Sequence, residues 1–374
     1  MQGFWFGVIA ILWAGFFVLE GFDFGVGMLL PLVGRNDAQR QLTLRTIGPV
    51  WDGNEVWLIV AGGASFAAFP EWYASVFSGF YLAFALLLAG LIVRGIGIEY
   101  RHRAETDNGR RWCDLGVVVG SLVPALLIGV AFADFVRGVE LDRDHVMTGG
   151  FFSLLTPYAL LGGLTTLSLF AFHGARFLTL RATGDVATRA AGYARLLGPV
   201  SLVLALAWVV WTSQVRGGAL SVEIGILMVA VLAVAVVARP RQQVLGFAAT
   251  AATAALVPIW AFSAMWPNML PARNDAAFSL TVHNASSSPH TLAVMTGVAL
   301  VCTPIVLAYQ AWTYWVFRAR VTGELTDAGA APAVPGRVGS VLDRARSSAQ
   351  HTLGVGHGAS RADGGRPGEQ DVPQ

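Results

Sequence analysis

Phe4-Trp5-Phe6-Gly7-Val8-Ile9-Ala10-Ile11-Leu12-Trp13-Ala14-Gly15-Phe16-Phe17-Val18-Leu19 carries no charge, and Glu20-Gly21-Phe22-Asp23-Phe24-Gly25-Val26-Gly27-Met28 follows without a break. A second stretch, Gly48-Pro49-Val50-Trp51-Asp52-Gly53-Asn54-Glu55-Val56-Trp57, repeats the pattern of two acids three residues apart beside an apolar segment. An uninterrupted apolar run of this length reads as a membrane-spanning helix, which needs about 20 such residues to cross roughly 30 Å of hydrocarbon. A carboxylate at membrane depth is costly and marks a site of function.

The rest of the chain supports that reading. Hydrophobic residues make up 55% and charged residues 13%, against roughly 25% charged in a soluble domain. Mean hydropathy is +0.59. Further charge-free runs occupy residues 56–70, 72–93, 115–133, 151–172, 196–215, 224–238, 244–271 and 291–317. The runs are continuous rather than alternating, which excludes a membrane barrel. Lipid satisfies no backbone polar group, so helices are required. The chain therefore reads as an all-α integral membrane protein. About nine helices are expected, near residues 3–32, 51–70, 72–95, 114–136, 151–178, 195–215, 222–238, 244–266 and 291–317, in one membrane domain over 1–320. Beyond it, 321–374 is rich in Gly, Ala, Pro, Ser, Arg and Asp and reads as a disordered cytoplasmic tail.

No Lys or Arg precedes the first run, so it lacks the basic start of a cleaved signal peptide. The chain contains no lysine, and all 25 basic residues are arginine. Connections after helices one, three, five and seven carry Arg35, Arg40 and Arg45; Arg94, Arg101, Arg103, Arg110 and Arg111; Arg181, Arg189 and Arg195; and Arg239 with Arg241. Arg318 and Arg320 follow helix nine, while the opposite connections hold only Arg137, Arg143, Arg216 and Arg273. The positive-inside rule places the N-terminus outside and the C-terminus in the cytoplasm.

That orientation brings Glu20, Asp23, Asp52 and Glu55 near the cytoplasmic face. Residues three apart share a side of a helix, so each helix can present a pair of carboxyl groups. Carboxyl groups held out of water and beside one another bind protons more tightly than in solution, and such groups can carry protons near neutral pH. Simpler readings stand beside this one. Pro49 suits the first turn of helix two, and Asp52 in that turn is favoured by the helix dipole alone. Glu20 and Asp23 can pair with arginines such as Arg35 or Arg45. Gly21, Gly25 and Gly27 read as small residues that let membrane helices approach closely. No strand and no lysine accompany them, so a phosphate cradle is excluded.

Cys113 and Cys302 make neither a metal site nor a disulfide framework. Haem needs axial ligands, usually His, Met or Cys. Of the seven histidines only His173 borders a membrane segment, as a snorkelling residue at the cytoplasmic end of helix five. Met28, Met228 and Met295 read as packing residues. No haem held by this chain, no metal and no nucleic-acid partner is expected.

The segment Gly21-Phe22-Asp23-Phe24-Gly25-Val26-Gly27-Met28-Leu29-Leu30-Pro31 resembles the first-helix signature of subunit II of cytochrome bd-type quinol oxidases. So do Gly48-Pro49-Val50-Trp51-Asp52-Gly53-Asn54-Glu55-Val56-Trp57-Leu58 and the Ala61–Pro70 stretch after it, together with Tyr309-Gln310-Ala311-Trp312-Thr313-Tyr314-Trp315-Val316-Phe317. The resemblance covers residues 1 to about 320. It implies two four-helix bundles plus one peripheral helix, in the bacterial inner membrane. It also implies a similarly folded subunit I, which carries haems b and d and the quinol-oxidising loop, and a small single-helix subunit as a further partner. The complex would oxidise quinol and reduce oxygen to water electrogenically in an aerobic respiratory chain, with protons taken from the cytoplasm. A structural quinone, menaquinone or ubiquinone, is a further implied cofactor. Carried over by residue, Asp52 is a proposed entrance of the proton path and Trp51 and Trp57 flank it. Glu20 stands where the family often has Asp. Two other readings are open: a secondary transporter, with Gly162-Gly163 and Pro304 as helix breaks, and a purely structural partner of a haem subunit.

Overall fold

The structure is a computed structural model that describes residues 1–322; the tail expected to be disordered falls outside the described residues from 323 onward. Eleven α-helices follow in order: α1 (Gln2–Val33), α2 (Asp37–Ile47), α3 (Trp51–Ala68), α4 (Pro70–Gly79), α5 (Tyr81–Tyr100), α6 (Asp107–Arg137), α7 (Pro157–Arg181), α8 (Gly184–Val215), α9 (Ala219–Val237), α10 (Gln243–Met265) and α11 (Pro289–Val316). An antiparallel pair, β1 (Asn268–Leu270) with β2 (Leu280–Thr281), lies between α10 and α11. Among the described residues eight helices are long and apolar enough to cross a membrane: α1, α5 to α10, and α11. The polar first turns of α3, with Asp52, Asn54 and Glu55, dilute its 18 residues. It accompanies α1 along its length, which gives about nine membrane helices.

Helix pairing follows the expected architecture. One group comprises α1, α3, α5 and α6, and the other α7, α8, α9 and α10, with α1 and α6 packed against α7 between them. The peripheral helix is α11, which rests mainly on α3. Trp5 at the start of α1 holds it by donating to Leu292 O (3.2 Å) and Thr296 Oγ1 (3.1 Å). The two groups meet where glycines remove side chains. A Cβ on Gly25 would stand 2.0 Å from Phe170 O, and one on Gly174 would stand 2.4 Å from the Gly25 carbonyl carbon. Only glycine permits this backbone contact between α1 and α7. Gly27 takes the Ser121 hydroxyl in the same way on the α6 side, and Gly21 faces the Phe170 ring. Phe17, Phe132 and Phe170 fill the space beside them, Phe17 with ring centroids 5.0 and 5.3 Å from the other two.

Several elements differ from the expected ones; α8, for one, starts at Gly184 rather than 195. The single third helix breaks at Phe80 into α4 and α5. Gly79, a weak helix former, ends α4, and the Phe80 ring is buried 5.2 Å from Phe135. Helix α6 begins at Asp107 rather than 114, because Thr106 caps it by accepting from Gly109 N at 3.0 Å. The amphipathic α2 replaces what reads as a loop. Asn36 caps it at 2.9 Å from Gln39 N. Its charges are held by partners: Arg101 reaches Asp37 (2.8 Å) and Asp114 (2.5 Å), and Arg40 reaches Asp114 (2.9 Å).

Candidate functional site: a buried carboxylate cluster around Arg94

The spacing of Glu20 and Asp23 turns both carboxyl groups to the interior face of α1, where neither has any exposed surface. Opposite them α3 brings Asn54 and Glu55, and α5 brings Arg94, also fully buried. The Arg94 guanidinium bridges Glu20 and Glu55, contacting the first directly and the second at 3.1 Å. It lies 4.9 Å from the Phe24 ring centroid and 6.0 Å from that of Trp51. Glycine again makes room: a Cβ on Gly120 of α6 would stand 2.7 Å from Arg94 Cβ. Trp51 packs over Gly95, so the tryptophan before the Asp-Gly pair covers the cluster from the arginine-rich end.

Asp23 is held differently. Asn54 Nδ2 donates to Asp23 Oδ2 at 2.7 Å, while Asn54 Oδ1 accepts from the Tyr314 hydroxyl at 2.8 Å and from Gln310 Nε2 at 3.2 Å. Trp57 Nε1 donates to Gln310 Oε1 at 3.3 Å. Asp23 Oδ1 and Arg94 Nε and Nη1 have no hydrogen-bond partner among the described residues. The cluster holds three carboxyl groups and one guanidinium. A buried charge needs a counter-charge or a proton, so the excess acid is the chemically distinctive feature here.

The predicted residues divide accordingly. Glu20, Asp23, Asn54 and Glu55 come together. Asp52 does not join them: it is exposed in the first turn of α3, on the outer side of the helix. Val50 is the N-cap of α3 and Pro49 lies in the turn before it. Arg35 and Arg45 are not the partners of Glu20 and Asp23; that role falls to Arg94 and Asn54. Arg94 counts in the sequence with the arginines that follow helix three, although the expected helix near 72–95 includes it, and α5 continues past it to Tyr100. A signal was present: three acids in apolar surroundings need a cation, and Arg94 directly follows the charge-free run 72–93.

His173 is not a snorkelling residue. It is fully buried in α7 and stacks on Phe247 (4.9 Å, 11°). One ring nitrogen pairs with Thr250 Oγ1 (2.7 Å) and the other with Val18 O (3.1 Å). With both nitrogens occupied, this imidazole does not fit an axial haem ligand. Among the described residues no group of three or more His, Cys, Asp or Glu is placed to hold a metal ion. Sequence reasoning missed Asp134, buried in the last turn of α6 at the opposite end, with Oδ2 unpartnered among the described residues. It lies inside the expected helix near 114–136 but just after the charge-free run 115–133, where it does not stand out.

Fold and cluster together define a polytopic α-helical membrane protein whose first, third and fifth helices enclose surplus acid around one guanidinium. The profile of the cytochrome bd terminal oxidase subunit II family matches residues 1–317, and the chain belongs to that family. It is similar to cytochrome bd ubiquinol oxidase subunit 2 of Bacillus subtilis (strain 168), at 38% identity over 85% of this chain and 96% of the relative. It is equally similar to cytochrome bd-I ubiquinol oxidase subunit 2 of Escherichia coli (strain K12), at 38% identity over 86% and 95%. Among solved structures it resembles the bd oxidase from Geobacillus thermodenitrificans, with a TM-score of 0.58 and 16% identity over 84% of this chain and 98% of that one. That likeness concerns the fold.

Proposed function

We propose that this chain is the haem-free subunit II of a membrane quinol:oxygen oxidoreductase, and that it supports a haem-bearing subunit I. It would do so in the bacterial inner membrane, with its arginine-rich face in the cytoplasm. Its own chemical contribution is a proton path from that face. Reduction of oxygen to water consumes one proton for every electron, and groups that load and release protons must line the route.

The observation that carries this reading is the gradient of exposure along the acids. Asp52 is exposed, the Glu55 side chain is 23% exposed, and Glu20 and Asp23 have no exposed surface. Asp52 collects protons at the surface. Glu55, one turn further along α3, passes them to Glu20 across the Arg94 guanidinium. Arg94 cannot release its own proton in a protein, so it balances one carboxylate while the others exchange protons. Trp51 and Trp57 keep bulk water out on either side. A structural quinone, menaquinone or ubiquinone, would fit the apolar groove of about 480 Å³ between α1, α3 and α11, which ends at Trp57 and Gln310. The exposed faces of α3 and α11 suit subunit I and a small single-helix subunit.

The reading is tested by isolating the complex through this chain and recording its absorption spectrum. A co-purifying haem-bearing polypeptide is expected, and quinol-driven oxygen uptake with it. Material free of haem and partner would overturn the assignment. A second reading has one specific observation in its favour: Arg94 ties α1, α3 and α5 together, as a purely structural clamp would. In that case neutral substitutions at Glu20 and Asp52 leave turnover of the assembled complex unchanged.

A further inference from the structure

A cavity of about 360 Å³ opens at the arginine-rich end, where α7, α10 and α11 approach the turn before α3. That is within the range of about 300–1,000 Å³ typical of small-molecule sites. Its wall carries the rings of Phe177, Phe247 and Phe317, and its rim carries Arg181, Arg318 and Arg320. Among the described residues no Asp or Glu lines it. In this it differs from the polar cavity at the same end beside α2 and α6, where Arg35, Arg40, Arg110 and Arg111 meet Asp37, Asp107 and Asp114. There the acids already answer the arginines.

At the α11 cavity the two exposed arginines are held by neutral groups. Arg318 donates to Trp315 O at 2.6 Å and lies 4.5 Å over the Trp315 ring, and Arg320 donates to Gln243 Oε1 at 2.6 Å. These contacts orient the guanidinium groups, and no acid among the described residues pairs with them. Apolar walls below and three cations at the rim, at the level where a helix leaves the membrane, match an amphiphile with a negative head and an apolar chain. Arginine suits a phosphate, to which its planar fork donates in pairs.

We propose that this cavity binds an anionic phospholipid, with its phosphate on Arg181, Arg318 and Arg320 and the upper part of an acyl chain against Phe177, Phe247 and Phe317. Basic pockets between membrane helices on the positive face are suited to such headgroups. The site is separate from the carboxylate cluster, though Tyr314 belongs to its wall and donates to Asn54. A lipid seated there therefore caps the polar chain that leads to Asp23.

The test uses the intact purified complex, titrated with phosphatidylglycerol, phosphatidylcholine or inorganic phosphate and followed by native mass spectrometry and thermal denaturation. Phosphatidylglycerol is expected to bind and raise the denaturation temperature, with phosphatidylcholine far weaker. Replacing Arg318→Gln and Arg320→Gln together should weaken phosphatidylglycerol about 25-fold, at about fivefold per arginine. Arg318→Lys with Arg320→Lys should retain most of the affinity. Both positions are exposed, so assembly, read from the absorption spectrum, should not change. Equal affinity for the two lipids would overturn the proposal, as would unaltered phosphatidylglycerol binding in the double Gln variant. Full displacement of phosphatidylglycerol by equimolar inorganic phosphate would also overturn it, since the cavity would then recognise a free anion.

Discussion

Glu20→Gln separates the electrostatic role of the cluster from its structural one. The substitution keeps the shape of the side chain and removes one of three acids. Arg94 would still pair with Glu55 at 3.1 Å, so no buried cation is stranded. What is lost is a charge-assisted contact between two fully buried groups, of about 1.5–3 kcal/mol, partly offset because a neutral amide costs less to bury than a carboxylate. At about 2–4 °C per kcal/mol, the denaturation temperature should fall by only a few degrees. Turnover should respond far more. A positioned proton carrier contributes about 10²–10⁴-fold, so quinol-driven oxygen uptake should drop at least ~100-fold in complexes with full haem content. The assay is oxygen uptake per haem, alongside the absorption spectrum as a control for assembly. Turnover within about twofold of the parent, less than ~0.5 kcal/mol on the barrier, would refute the reasoning and favour the structural clamp.

Asp52→Asn removes an exposed charge, so stability should change by less than ~0.5 kcal/mol. Oxygen uptake should fall by about tenfold at low salt, with the difference shrinking as salt screens the surface; stopped-flow turnover across ionic strengths measures this. Gly25→Ala would drive a methyl group into Phe170 O and Gly174. It should cost at least ~1–3 kcal/mol and lower the yield of assembled complex, whereas Gly21→Ala meets only a ring that can shift, so quantitative recovery of haem per membrane protein should rank the two. His173→Gln should leave the haem spectrum unchanged, because the imidazole bonds to Thr250 and Val18 rather than to a metal. Denaturation of the same sample should show about 1–3 kcal/mol lost from the buried polar contact.

Much of the fold is legible because hydropathy reports the membrane directly. Residues 4–19 and 291–317 carry their helices in plain view, and α1 and α11 lie within a few residues of the expected bounds. Hydropathy reports lipid contact and not helicity, which is why α6 and α8 extend through polar turns that it assigns to loops. The same limit hides α2, whose Asp37 and Arg40 are met by Arg101 and Asp114 from outside the helix. The break at Phe80 leaves the apolar run intact and so has no compositional signature.

The site was half legible. Acids in an apolar run stand out, and the spacing of Glu20 with Asp23 shows that they share a face. Asp52 and Glu55 have the same spacing, yet α3 turns Glu55 to the cluster and leaves Asp52 outside. Which flank of α3 faces α1 depends on packing by Trp51 and Asn54, not on spacing. Arg94 and His173 were misread for one reason: charge counts treat a polar residue near the end of a run as interfacial. Both are buried because other helices supply their partners, and no local pattern contains those partners.

The most direct measurement is the infrared difference spectrum between the quinol-reduced and oxygen-reoxidised complex, recorded for the parent and for Glu20→Gln and Asp23→Asn. Surplus acid held by protons predicts a carboxyl C=O band that changes with turnover and disappears in these variants while the haem signals persist. A spectrum without that band in the parent, or with the band undiminished in both variants, would contradict a proton-carrying role for the cluster.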